Sequence, residues 1–123
     1  MLSKFFNIAL KLIILATISY AGTIRVVNRV DNSIDDILTL DKIRGTYVST
    51  IDVSRILAKR DPFINKDRGK MVLYIGDRRI KISGNSSYLL VDDQVFQMPM
   101  HTIITDNDIY LPAEPFFDIV KRI

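Results

Sequence analysis

Residues 70–83 read K-M-V-L-Y-I-G-D-R-R-I-K-I-S. The pair Gly76-Asp77 at the centre of this stretch is a two-residue hairpin signal. On its C-terminal side Arg79 and Lys81 alternate with Ile80 and Ile82, the period expected when one face of a strand is buried and the other exposed. The segment therefore predicts two antiparallel strands, at residues 70–75 and 78–83.

Further strands are predicted on both sides of this hairpin. β-Branched, partly alternating residues indicate strands at 23–30, 37–43 and 46–48. Asp92-Asp93 and Asp106-Asn107 are tight reversals. They predict two more hairpins, from strands 87–91 with 95–98 and 100–105 with 108–111.

The first of two short helices is predicted after the strand at 46–48. Ser49 can cap its N-terminus, with Asp52 three residues on as the acidic partner of a capping box. Ile56 and Leu57 follow Val53 at i+3 and i+4, which gives an apolar face. The Asp61-Pro62 pair ends the helix because residues before proline avoid the helical conformation.

The second helix closes the chain. Pro112 stands near its start, where a missing N–H costs least. Glu114 lies in the first turn and Lys121-Arg122 in the last, which suits the helix dipole. Its apolar face comprises Phe116, Ile119 and Val120.

The chain also contains an internal echo. Tyr47-Val48-Ser49 runs into the first helix as Tyr110-Leu111-Pro112 runs into the second. The expected fold is α+β, a twisted and mostly antiparallel sheet with two short helices packed on it.

Residues 1–21 are predicted to be a signal peptide. They carry Lys4 and Lys11, no acidic residue, an apolar run at 12–18 and a small-x-small ending at Ser19-Tyr20-Ala21. A membrane anchor is the rival interpretation, but a spanning helix needs about 20 apolar residues and Lys11 interrupts this run. We therefore expect an exported protein whose contact with a membrane is limited to an uncleaved signal segment.

The charge balance of the remaining domain argues against a nucleic-acid partner. Cleavage after Ala21 would leave 123 − 21 = 102 residues, with 17 − 2 = 15 basic and 14 acidic side chains, a net charge of +1. Nucleic-acid binders need a strong basic footprint. The lack of cysteine favours a bacterial periplasm or cell envelope over a disulfide-stapled eukaryotic secreted domain.

From residue 45 onwards the chain resembles the copper-amine-oxidase N-terminal-like domain of bacterial exported proteins. The matching pieces, in order, are Tyr47-Val48-Ser49, Gly69-Lys70-Met71-Val72, Val91-Asp92 with Pro99, and Tyr110-Leu111-Pro112. Residues 58–62 depart from the family pattern, which has a leucine-rich helix ending in glycine. The resemblance assigns residues 22–123 to one such domain.

The segment from Phe96 to Pro112 also looks like the N-terminal region of exported N-acetylmuramoyl-L-alanine amidases. In those proteins such a domain precedes a zinc-dependent hydrolase that acts on peptidoglycan. The resemblance implies a cell-wall context, with peptidoglycan or an amidase catalytic domain as partner. It leaves open whether this chain is the N-terminal fragment of an amidase or a standalone relative.

The sequence predicts no catalytic activity, cofactor or metal site. A zinc hydrolase needs about three His or Glu ligands, whereas the chain has one histidine, His101, and one glutamate, Glu114. A serine triad would need His101 as its base. The acidic stretches 31–36 and 106–108 lack the glycine and glutamate of a calcium loop.

The candidate contact residues are four cations, Arg68, Lys70, Arg79 and Lys81. Arg79 and Lys81 share one strand face, and Lys70 is expected nearby across the Gly76-Asp77 turn. Such a stripe could touch anionic wall polymer or lipid headgroups; the alternative is a solvated face whose lysines discourage aggregation. We expect no aromatic residue among these cations, which further disfavours single-stranded nucleic acid.

Two functions follow as hypotheses. The first is an exported, non-catalytic accessory domain of a cell-wall amidase. The second is a protein-interaction or structural module of the envelope that pairs through an exposed sheet edge and has no link to a wall hydrolase.

Overall fold

The computed structural model describes residues 17–18, 22–28 and 32–123. Most of the predicted signal peptide, including the expected cleavage site at Ala21, lies outside the described residues. The described part is an α+β fold of antiparallel strands and two short helical segments. This confirms the predicted class, although the strands form two sheets where one was expected.

The first sheet has six strands. In chain order they are β1 (Thr17–Ile18), β2 (Thr23–Asn28), β3 (Ser33–Lys42), β4 (Gly45–Ser49), β10 (Ile103–Ile104) and β11 (Ile109–Pro112). Their spatial order is β1-β2-β3-β4-β11-β10, and every neighbouring pair is antiparallel. The two residues of β1, which fall within the predicted signal peptide, pair with Ile24 and Arg25 of β2.

The second sheet is a five-stranded meander. Its strands are β5 (Phe63–Asn65), β6 (Lys70–Ile75), β7 (Arg78–Ser83), β8 (Tyr88–Val91) and β9 (Gln94–Gln97), paired in that order. The hairpin of β6 and β7 has the predicted bounds, with Ile75 opposite Arg78. Asp92 and Asp93 in the β8–β9 turn have φ of 49° and 68°, a conformation that Asp tolerates better than most residues.

Two predictions about strands were wrong, and β3 begins at Ser33, four residues before the strand predicted at 37–43. Residues 63–65, placed in no element by the sequence, form β5 on the edge of the second sheet. Residues 100–102, expected in a strand, form none. Thr102 explains the second error: its hydroxyl donates to the Ser83 carbonyl at 2.5 Å, and its N–H donates to the Ser86 carbonyl at 2.9 Å. This segment is tied to the β7–β8 loop instead of to a neighbouring strand.

The two helices start where the sequence places them. The first, α1 (Thr50–Val53), continues as a wider π-type turn over Ser54–Ala58 and ends at Lys59, whose φ is 59°. Ser49 caps it by accepting a hydrogen bond from the Asp52 N–H at 3.1 Å. The second, α2 (Ala113–Arg122), follows β11 directly.

The internal echo corresponds to a local two-fold arrangement. β4 and β11 are neighbours, and Val48 lies opposite its counterpart Leu111, 63 positions later. The hairpins that lead into β4 and β11 also have equivalent registers. In the first hairpin Thr39 lies opposite Val48. A shift of both by 63 positions gives residues 102 and 111, and the observed pair Ile104 and Ile109 belongs to that register. The two strand-into-helix units therefore face each other at the centre of the first sheet.

Both sheets and both helices contribute to one apolar core. Its side chains come from β2, β3, β4 and β11 in the first sheet, from β6, β7 and β8 in the second, and from α1 and α2. The largest fully buried members are Phe116, Phe117, Ile24, Ile37, Leu73, Ile80, Ile82, Leu89, Met98, Ile109, Leu111 and Ile119. The inner face of the second sheet is thereby covered, and the side chains of its other face are partly or largely exposed.

Candidate binding face

The open side of the second sheet, here called the outer face, is built by strand alternation. In β6 and β7 the residues that point inward are buried and their neighbours are partly exposed. Residues directly opposite each other in antiparallel strands share a face. The register therefore brings together Phe63, Asn65, Lys70, Val72, Tyr74, Arg79, Lys81, Ser83, Tyr88, Leu90, Val95 and Gln97.

Three of the four predicted cations lie on the outer face. Lys81 is opposite Val72, and Arg79 is opposite Tyr74. Lys70 is opposite Ser83 at the end of the same strand pair. The cross-strand partners of these cations are thus uncharged, and none of the described carboxylates forms an ion pair with Lys70 or Lys81.

The fourth predicted cation, Arg68, lies elsewhere. It is exposed in the turn between β5 and β6, where its N–H donates to the Asn65 side-chain oxygen at 3.3 Å. Arg68 therefore lies in a turn next to the outer face and is not paired with a residue of a neighbouring strand. The structure thus groups Lys70, Arg79 and Lys81 and places Arg68 at the rim.

Aromatic side chains interleave the cations, so the expectation that none would do so was wrong. Tyr74 lies opposite Arg79, and the Phe63 ring meets the Tyr74 ring edge-on at 6.3 Å between centroids. Arg60 adds a guanidinium 5.5 Å from the Phe63 centroid and 5.2 Å from that of Tyr74. Phe63 was missed because β5 was missed. The prediction against nucleic acid therefore depends on charge balance alone.

Several apolar side chains on this face remain exposed. The exposed fraction is 61% for Phe63, 51% for Tyr88 and 58% for Val95. Phe63 lies on the β5 edge and Val95 on the β9 edge, so the exposed apolar groups flank the central cations. A surface with aromatic and cationic side chains in alternation suits a ligand with both apolar and anionic parts.

Two acids in the β8–β9 turn border one end of the face. Arg79 pairs with Asp93 at 3.9 Å, and Arg78 pairs with Asp92 at 2.9 Å. The pKa of Asp92 lies below its usual range because the Arg79 backbone N–H donates to its carboxylate and the Arg78 guanidinium does so as well. Arg79 is therefore partly neutralised, and the unpaired positive charge is at Lys81 and Lys70.

A second polar cluster lies at the start of α1. Ser49 donates to one Asp108 carboxylate oxygen, and the other accepts the N–H groups of Ile51 at 3.3 Å and Ile109 at 2.7 Å. Burial, followed by the charge of Asp108, raises the pKa of Asp52. These bonds satisfy the first turn of α1, which gives Asp108 a capping role in the local two-fold unit.

The remaining candidates form no cluster. His101 is exposed in the loop before Thr102. Among residues 22–28 and 32–123, no three His, Cys, Asp or Glu side chains are grouped so that they could hold a metal ion. Within the same described part, no helix is long and apolar enough to span a membrane.

Comparison with known proteins gives no match. No family model matches the sequence, and no significant match is found among curated proteins or solved structures.

Proposed function

We propose that this chain is an exported, non-catalytic module of the bacterial cell envelope that binds anionic wall polymer through the outer face of its second sheet. In this proposal it serves beside a cell-wall amidase, either as part of such an enzyme or as a separate partner. The observation that carries the proposal is the set of unpaired cations, Lys70 and Lys81, among exposed aromatic residues on one open sheet face.

The cations supply attraction for carboxylate or phosphate groups. Neither Lys70 nor Lys81 has a described acidic partner, and both are only partly buried. A ligand anion would therefore face no competing intramolecular ion pair. Attraction at such exposed sites is screened by salt, with a Debye length of about 8 Å at physiological ionic strength. Binding to the outer face should accordingly weaken as salt is raised.

The aromatic residues supply the second kind of contact. Phe63 and Tyr88 present ring surface to solvent, and the apolar C–H faces of sugar rings stack on such surfaces. Phe63 meets Tyr74 edge-on and lies beside the Arg60 guanidinium, and these contacts restrict its side chain before any ligand binds. Fixed rings lose little conformational freedom on binding. Glycan chains that carry acidic groups fit both features of the face.

The resemblance of residues 96–112 to the N-terminal region of exported amidases favours a wall glycan over other anionic polymers. The signal peptide predicted at residues 1–21 would direct the chain to the compartment where this polymer is found. These two points motivate the cell-wall assignment, and the outer face supplies the mode of contact.

Co-sedimentation of the purified protein with insoluble peptidoglycan sacculi tests the proposal. We expect the protein in the pellet, with reduced binding for the Lys81→Gln and Phe63→Ala variants. Lys42→Gln and Leu38→Ala are the matched controls, since both residues are exposed on the first sheet. Absence of the protein from the pellet, or equal losses for face and control variants, would refute the proposal.

The β9 edge supports a second candidate, an assembly module that pairs with another protein. β9 contains no charged residue and no proline, and Val95 at its centre is largely exposed. Natural edge strands usually carry charges or proline that prevent pairing. An added strand along Gln94–Gln97 would extend the second sheet.

Light scattering distinguishes this candidate. Pairing through β9 predicts a dimer or a stable complex that the Val95→Lys variant disrupts, because it places a charge at the centre of the edge. A strict monomer that captures no envelope partner would rule this candidate out and leave wall binding unaffected.

A further inference from the structure

A groove lies between α2, the β3–β4 turn and residues 97–100. Its volume is about 510 Å³, within the range of pockets that hold small ligands, roughly 300–1,000 Å³. Met100 and the buried Ile119 contribute apolar surface. Gly45 has a φ of 143°, a conformation that favours glycine, and it lies against the Met100 side chain.

Four charged side chains line this groove. Arg44 comes from the β3–β4 turn, and α2 supplies Glu114, Asp118 and Arg122 at intervals of four residues, along one side of the helix. All four are exposed, and none belongs to an ion pair with a described residue. The lining thus contains two positive and two negative groups, and no ion pair among the described residues neutralises them.

The local two-fold arrangement shows what occupies the corresponding place in the other unit. Gly45, 63 positions before Asp108, is the counterpart of Asp108. In the first unit the Asp108 carboxylate accepts a hydrogen bond from the Ile51 N–H in the first turn of α1. At α2 the N-terminal residue Pro112 makes no side-chain capping bond, and glycine replaces the acid. The first turn of α1 therefore has a carboxylate beside it, whereas the first turn of α2 has only Gly45 at the equivalent position.

From this difference and the charges of the groove, we propose that it binds a short zwitterionic peptide. The peptide's terminal carboxylate takes the place that Asp108 has in the first unit, next to Arg44. Its ammonium group lies towards Asp118, and its backbone lies on Met100. This site meets the outer face at Gln97 but does not depend on the wall-binding proposal.

The dimensions of the groove suggest the length of the peptide. The carboxylate lies at the first turn of α2, near the Glu114 N–H, and helical rise places Asp118 about 6 Å further along the axis. An extended chain covers about 3.3–3.6 Å per residue. Two or three residues therefore span the distance from this carboxylate to Asp118, which makes tri-alanine a suitable probe.

Calorimetric titration of the purified protein with tri-alanine tests the site, alongside N-acetyl-tri-alanine and tri-alanine amide. We expect binding of the unblocked peptide and about tenfold weaker binding of each blocked form, as expected when one charge-assisted hydrogen bond is lost. Arg44→Gln should remove the preference over the amide, and Asp118→Asn should weaken the preference over the acetylated peptide.

Lys59→Gln and Asp67→Asn are the controls, since both residues are exposed and neither lines the groove. Their binding should equal that of the unmodified protein. No heat and no change in the amide NMR signals of Gly45 and Met100 at millimolar tri-alanine would overturn the proposal. Equal binding of all three peptides would overturn it as well, because the ends of the ligand would then not be recognised.

Discussion

The two sheets differ in how they present cations to solvent. On the first sheet Arg25 lies opposite Asp36, and the two side chains form an ion pair at 3.3 Å. On the second sheet Lys81 lies opposite Val72 and Lys70 opposite Ser83. Cross-strand partners are the nearest neighbours on a sheet face. The type of residue opposite a cation therefore decides whether its charge is neutralised or remains available to a ligand.

The inner faces, in contrast, are alike. Ile37 of the first sheet and Ile80 of the second are both essentially buried, and both belong to one core. The two sheets are thus equivalent for stability and different for recognition. Substitutions in the core should affect both sheets equally, whereas substitutions on the exposed faces should separate them.

The largest expected effect tests the equivalence of the inner faces. Ile37→Ala and Ile80→Ala should each lower the free energy of unfolding by about 2–5 kcal/mol, the cost of a cavity in a packed core. Urea denaturation should show one cooperative transition for each variant. Two separate transitions would mean that the sheets have independent cores, and the comparison of their faces would lose its basis.

A smaller effect, on sacculus binding, is expected when an acid is placed opposite a cation on the second sheet, as is found on the first. Val72→Glu places an acid opposite Lys81, as Asp36 lies opposite Arg25, and should weaken sacculus binding about tenfold through neutralisation and repulsion of the ligand. Leu38→Glu adds the same charge to the first sheet, where Leu38 is 70% exposed. Equal losses for both variants would point to net charge alone.

The acid at the end of the outer face has a pH-dependent role. Because the pKa of folded Asp92 is lowered, its ionised form stabilises the fold above the unfolded pKa, about 3.9. This contribution is lost as pH falls through the lower folded pKa. Asp92→Asn should therefore lower the melting temperature at pH 7 by a few degrees and change it less at pH 3. A constant difference across this range would contradict the assigned cause.

The smallest effect is expected for the ion pair of the first sheet. Both side chains are about half exposed, so Asp36→Asn should change the free energy of unfolding by at most about 1 kcal/mol. The same variant frees Arg25, which should slightly increase sacculus binding by the first sheet. A decrease in binding would show that unpaired cations on a strand do not promote contact with the polymer.

The sequence predicted those parts of the fold that depend on local patterns. The β6–β7 hairpin, the Ser49 cap and the start of α2 all follow from turn chemistry, capping and alternation within a few residues. The division into two sheets did not follow, because it depends on which strands pair at long range. Residues 100–102 illustrate the limit, since Thr102 bonds to the β7–β8 loop in place of a strand.

The candidate site was predicted in part. Alternation placed Arg79 and Lys81 on one face, and the turn brought Lys70 close. The aromatic component was missed because Phe63 lies in a three-residue edge strand after proline, with no alternation long enough to detect. A tyrosine opposite Arg79 could have been inferred from the hairpin register, since the Gly76-Asp77 turn fixes Tyr74 as its partner.

The most direct test of wall binding is to locate the contact itself. We suggest titrating the isotopically labelled protein with soluble peptidoglycan fragments and following its backbone amide signals by NMR. The account predicts shifts concentrated in β6, β7 and β8 around Tyr74, Lys81 and Leu90, which diminish when salt is raised. Shifts confined to the first sheet or to the β9 edge, or no shifts at all, would contradict it.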